Sequence, residues 1–158
     1  MRRRYMTFGL LAVTGLTLAL TASVGAQGSG DRAIFAVMNG AKEVEPATGD
    51  RGTGDPNGRG SFSATLDGRQ LCYGIQVKNI NDPVAAHIHR GGSRVAGPVI
   101  QELEAPAAGD PGASSACVRV SRSLARGLRN NPGGFYVNVH TSDLPNGAVR
   151  GQLFARAR

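Results

Sequence analysis

The sharpest periodicity in the chain runs from residue 71 to 78. Leu71, Tyr73, Ile75 and Val77 alternate with Cys72, Gly74, Gln76 and Lys78, the period-two pattern of a strand with one face on a core. Upstream, residues 33–38 (AIFAVM) predict a first strand and residues 61–66 a second. Asp67-Gly68 joins that second strand to the Leu71 strand as a hairpin. Asn81-Asp82-Pro83 breaks the pattern, residues 84–89 predict another strand, and Gly91-Gly92 ends it. A short strand follows at 97–100, then a Pro/Gly/Ala/Ser loop at 105–115 and strand-like residues at 117–120. Residues 121–129 fit one short helix, with Ser121 or Ser123 as N-cap and Leu124 and Leu128 as its buried pair. Pro132-Gly133-Gly134 ends the helix, residues 135–141 predict a strand, Leu144-Pro145-Asn146-Gly147 a turn, and residues 148–154 the last strand. Seven or eight short strands at this spacing argue for an antiparallel sandwich or barrel.

Composition supports that reading. The chain has 158 residues, and residues 1–26 have the layout of a secretory signal peptide: Arg2, Arg3 and Arg4, an uncharged stretch from Phe8 to Val24, and small residues at Val24-Gly25-Ala26. Cleavage after Ala26 would leave 132 residues, a size that suits one domain. The rival reading is an uncleaved anchor, but Thr14, Gly15, Thr17, Thr21 and Ser23 interrupt the apolar stretch. No second segment is apolar enough to cross a membrane. Residues 27–32 then form a polar leader and 33–156 the domain. Glycine is about twice as frequent as usual and Trp is absent, which suits tight turns between short strands. The formal charge of +7 includes the three leader arginines, and the remaining net of +4 is scattered. There is no basic run and no aromatic platform, so nucleic acid is not an indicated partner.

Export would give Cys72 and Cys117 an oxidising environment, and two cysteines permit one pairing. Both alternate against apolar neighbours, so they can leave the core face and meet. The other reading is two separate buried thiols. Residues 48–60 (TGDRGTGDPNGRG) are almost all turn formers and read as a mobile solvated loop. Its Asp50, Asp55 and Asn57 hint at calcium, but their spacing is not that of an EF-hand.

The candidate chemistry lies in the histidines. His87 and His89 form an HxH pair, and residues i and i+2 of a strand share a face. His140 shares its strand face with Asn138 and Tyr136. Three imidazoles can hold zinc or copper if the two segments are neighbours. The other reading has the same rings hydrogen-bonded as structural parts. Nucleophilic catalysis is poorly supported: there is no GxSxG, and Ser142 and Asp143 follow His140 too closely to imply a triad.

Several segments together carry a resemblance. They are Gly40-Ala-Lys-Glu-Val-Glu-Pro46, Leu71-Cys-Tyr-Gly-Ile-Gln-Val77, Ala86-His-Ile-His-Arg-Gly91, Gly97-Pro-Val-Ile100 and Tyr136-Val-Asn-Val-His-Thr141, followed by Leu144-Pro-Asn-Gly147 and Val149-Arg-Gly-Gln-Leu153. This set resembles the CHRD domain, repeated in chordin and found singly in bacterial secreted proteins. The resemblance implies an all-β, antiparallel Greek-key β-sandwich, immunoglobulin-like or superoxide-dismutase-like, with one short helix. It implies no established enzymatic activity. Two departures stand out: Glu45 where the family usually has Pro, and Ala148 where an acidic residue is common, which removes a carboxylate partner for Arg150.

Two functions follow as expectations. The first is a secreted, non-enzymatic binding or structural module for an extracytoplasmic protein or ligand, with a possible metal site at His87, His89 and His140. Tyr136, Asn138, Thr141 and Arg150 would support that end of the domain. The second is a copper or zinc metalloprotein with dismutase-like chemistry, against which stands the small number of histidines for a two-metal centre.

Overall fold

A computed structural model describes residues 31–155; the expected signal peptide, most of the polar leader and residue 156 lie outside that range. Among the described residues eight strands form: β1 (Arg32–Asn39), β2 (Arg59–Asp67), β3 (Gln70–Lys78), β4 (Pro83–Arg90), β5 (Val99–Leu103), β6 (Gly112–Arg119), β7 (Phe135–Thr141) and β8 (Val149–Gln152). One helix, α1 (Arg122–Asn130), lies between β6 and β7. The strands make one antiparallel sheet in the order β5-β4-β7-β8-β1-β2-β3-β6. The expected all-β class with a single short helix is the observed one.

The sheet bends over a shared core until it nearly closes. Its two halves meet where Asn39 pairs with Arg150, and Phe35 bridges Phe154. The far edges, β5 and β6, approach through side chains: the Glu104 N–H donates to the Tyr73 hydroxyl at 2.7 Å, and Ser114 donates to the Glu104 carbonyl at 2.7 Å. Ile34, Phe62, Leu71 and Ile75 from one half pack with Ile88, Val137 and Val139 from the other. Helix α1 covers this core with Leu124 and Leu128. Its N-cap is Ser121, whose hydroxyl accepts from the Leu124 N–H at 3.1 Å, while Ser123 hydrogen-bonds the cap hydroxyl. At the β2–β3 turn, Gly68 takes φ +53°, a left-handed conformation that favours glycine.

Cys72 and Cys117 face each other in the β3–β6 ladder and form a disulfide. That ladder also corrects the sequence reading. Residues 112–115 were expected in a loop, yet β6 starts at Gly112, because β3 offers a full row of partners from Val77 to Gln70. Their Gly, Ala and Ser carry weak strand propensity, and pairing overrides it. The last strand is shorter than the expected 148–154, and the segment expected to be mobile is tied down. Within it, Gly52 N–H donates to the Glu43 carbonyl and Asp55 N–H to the Ala148 carbonyl. Asp55 Oδ1 accepts from the N–H groups of Asn57 and Gly58, a turn-stabilising role for one of the three residues that hinted at calcium. Among the described residues no helix is long and apolar enough to cross a membrane.

Candidate metal centre

Strands β4 and β7 are neighbours, which brings the histidines together. In their antiparallel register Ala85 pairs with His140, His87 with Asn138 and His89 with Tyr136. Alternation gives the core face to Ala86, Ile88, Val137 and Val139. The opposite face therefore presents His87, His89, Tyr136, Asn138 and His140, and β8 adds Arg150, which pairs with Asn138. This outer face is not open to solvent. Every residue of β7 is buried, one face on the core and the other beneath this polar layer and the loops fastened to it. Six polar side chains are buried among the described residues, and all but Thr141 belong to this layer: Glu43, His89, Asn138, His140 and Arg150.

The imidazoles converge. One nitrogen from each of His87, His89 and His140 lies within 4.8 Å of the other two, so a central point exists no more than about 2.8 Å from all three. His87 Nδ1 is 3.0 Å from His140 Nε2. The outer nitrogens are all engaged: His89 Nδ1 with the Gly97 carbonyl at 2.8 Å, His140 Nδ1 with the Pro145 carbonyl at 2.8 Å, and His87 Nε2 with the Glu102 carboxylate at 2.8 Å. A carbonyl can only accept, so the Nδ1 atoms of His89 and His140 carry protons and their Nε2 atoms are bare lone pairs. His89 Nε2 is buried and has no hydrogen-bond partner. Burial pushes the pKa of both rings down, ahead of the hydrogen bonds to Gly97 and Pro145 that raise it, and this favours the neutral form that ligates metal.

A clamp surrounds the group. Tyr136 stacks on His89 with centroids 4.7 Å apart, and the Arg150 guanidinium lies 3.4 Å above the Tyr136 ring. Arg150 Nη2 donates to the Gly92 and Val95 carbonyls at 2.8 and 3.0 Å. The Tyr136 hydroxyl accepts from the Gly97 N–H at 3.0 Å. The 91–98 loop is thus fastened by three side chains of the site, His89, Tyr136 and Arg150. Gly97 is required there, since a Cβ on it would fall 1.7 Å from the Arg90 carbonyl oxygen.

Below Asn138 lies a residue that the sequence reading did not select. Glu43 is 2% exposed, and burial pushes its carboxyl up to about 8, against the attraction of Arg150 and a hydrogen bond from Asn138. Glu102 was also overlooked. The signal for Glu43 was an acidic residue between Gly40 and Pro46 in a motif of the resemblance; for Glu102 it was only a position on the strand beside HxH. Thr141 is buried but, by alternation, turns to the other side of β7. Ala148 is fully buried, and the carboxyl that attracts Arg150 comes instead from Glu43.

The CHRD domain profile matches residues 34–153, most of the chain. The chain belongs to the CHRD domain family. No curated protein and no solved structure matches it. The matched span runs from Ile34, within β1, to Leu153, so every member of the polar layer falls inside the CHRD domain. The Cys72–Cys117 disulfide of this CHRD domain fits an oxidising, non-cytoplasmic compartment.

Proposed function

We propose that this CHRD domain is an exported metal-binding module that holds one zinc or copper ion at His87, His89 and His140. The observation that carries the reading is the donor census of the three rings. Each outer nitrogen is fixed by a carbonyl or a carboxylate, and each inner nitrogen faces the same point. Metal-bound histidines are oriented by such outer partners. Three neutral imidazoles suit zinc and copper. The carboxylate–imidazole contact of Glu102 with His87 would raise the basicity of that ligand.

The same census favours binding over dismutase-like chemistry. Among the described residues the cluster contains three ligands and no second set for a neighbouring ion. The module would act on an extracytoplasmic protein or ligand once residues 1–26 are removed after Ala26. Intact mass of the exported protein tests that step; a mass that retains residues 1–26 overturns it.

Calorimetric titration of tag-free protein with zinc and with copper at neutral pH tests the site. Saturable heat at one ion per chain is the expected result, falling away only at pH below the free-imidazole value of about 6.5, because burial makes His89 and His140 harder to protonate. His89→Ala should reduce affinity far more than it lowers the melting temperature. No heat in the wild type, with a destabilised His89→Ala, would make the histidines structural and end the proposal.

A further inference from the structure

We infer that the ion has a fourth protein ligand, the side-chain oxygen of Asn138, aimed at the site by the buried carboxyl of Glu43. This rests on the three-histidine reading above. Asn138 is directly opposite His87 in the β4–β7 ladder and is 2% exposed. Its Oδ1 is 3.1 Å from His140 Nε2. His140 has already committed its ring N–H to the Pro145 carbonyl, so both atoms of that contact are lone-pair bearers.

The orientation of the amide decides between a donor and a ligand. Asn138 interacts with both the Glu43 carboxyl and the His89 ring. With its amide N–H turned to the Glu43 carboxyl, Asn138 points Oδ1 toward the imidazoles, where it meets His140 Nε2 at 3.1 Å. With His87 donating its Nε2–H to Glu102, His87 Nδ1 is a lone pair like His89 Nε2 and His140 Nε2, and Asn138 Oδ1, 3.1 Å from His140 Nε2, is the fourth acceptor beside them. Buried acceptors gathered without a donor are costly, and a cation is the partner that satisfies all four at once.

The spacing agrees with that role. Bonds of about 2.0–2.1 Å in a tetrahedral site put ligand atoms roughly 3.4 Å apart. The observed separations of 3.0 Å for His87–His140 and 3.1 Å for Asn138–His140 are close to it. His89, at the wider end of the 4.8 Å span, would close by a small ring movement. Four protein ligands make a closed centre, the kind that holds an ion rather than offering it to a substrate. Glu43 acts through Asn138 and is a positioning residue.

Cobalt(II), added alone to the full-length, tag-free protein, reads the coordination directly through its visible d–d bands. The wild type should give an intense four-coordinate spectrum that azide does not change. Asn138→Leu should weaken cobalt binding about 10- to 100-fold and make the bands sensitive to azide. Asn138→Asp, which keeps shape and polarity, should retain four-coordinate intensity with shifted bands, and it decides the question if the Leu variant does not fold. Glu43→Leu should shift the wild-type bands, and Glu43→Gln should restore them. Cobalt uptake with bands unmoved in both Asn138 variants would remove Asn138 from the ligand set while leaving the three histidines in place. No cobalt uptake by the wild type would instead overturn the three-histidine reading itself.

Discussion

Glu43 shows at the scale of one residue how burial sets charge. No ion pair joins it to Arg150 among the described residues, whose guanidinium is held by the Gly92 and Val95 carbonyls, so desolvation outweighs attraction. Its folded pKa, pushed up to about 8, stands above that of a solvated glutamate, roughly 4.3. The stabilising contribution is therefore complete below about pH 4.3 and is lost as pH rises through 8. In the metal-free protein Glu43→Gln should flatten this slope. Wild-type stability should fall by about 3–5 kcal/mol more than that of the variant between pH 5 and pH 9, measured by urea denaturation in chelator. Equal slopes would mean that the carboxyl is ionised and solvated throughout. The HxH pair was legible in the sequence because a two-residue repeat on a strand declares its own face. Glu43 was not, since a single acid in a polar segment reads the same whether it ends in water or under Asn138.

At the scale of elements, periodicity along one strand is readable, while the identity of its neighbour is not. The alternation in β3 and β7 needed no partner to be recognised. The contact between His87 and His140 spans 53 residues, and no local signal states that β4 and β7 pair. Helix α1 was legible for the opposite reason: its cap, its leucine pair and its stop are all local. The β4–β5 register shifts between Ile88 and His89, a bulge of the kind that re-aims a side chain, and the 91–98 loop then holds the His89 ring through Gly97. Gly97→Ala should push that loop off Arg90 and loosen His89 without touching the core. We expect zinc affinity about 10- to 100-fold weaker with an unchanged far-ultraviolet circular dichroism spectrum. Affinity equal to wild type would show that the loop does not position the ring.

For the whole molecule, stability and site are divided between the two halves of one sheet. The disulfide joins β3 and β6, whereas the histidines stand on β4 and β7, on the other side of the β8–β1 junction. The halves share a core, so the first supports the second, but the route runs through Ile88, Val137 and Val139 rather than through the polar layer. A sequence separation of 45 residues gives a cross-link worth about 4 kcal/mol by loop-closure entropy. Replacing both cysteines with serine should remove an amount of this order from the unfolding free energy. It should leave zinc affinity unchanged at temperatures where the variant is folded, because the disulfide sits in the β3–β6 ladder while the histidines stand on β4 and β7 in the other half of the sheet. Free-thiol titration of the unreduced, unfolded wild type should read near zero. A variant that keeps its stability would place the loop-closure benefit elsewhere. One that loses zinc affinity while still folded would mean that the halves are coupled through the core, and that the outer layer of β4 and β7 is set by strain carried across the sheet.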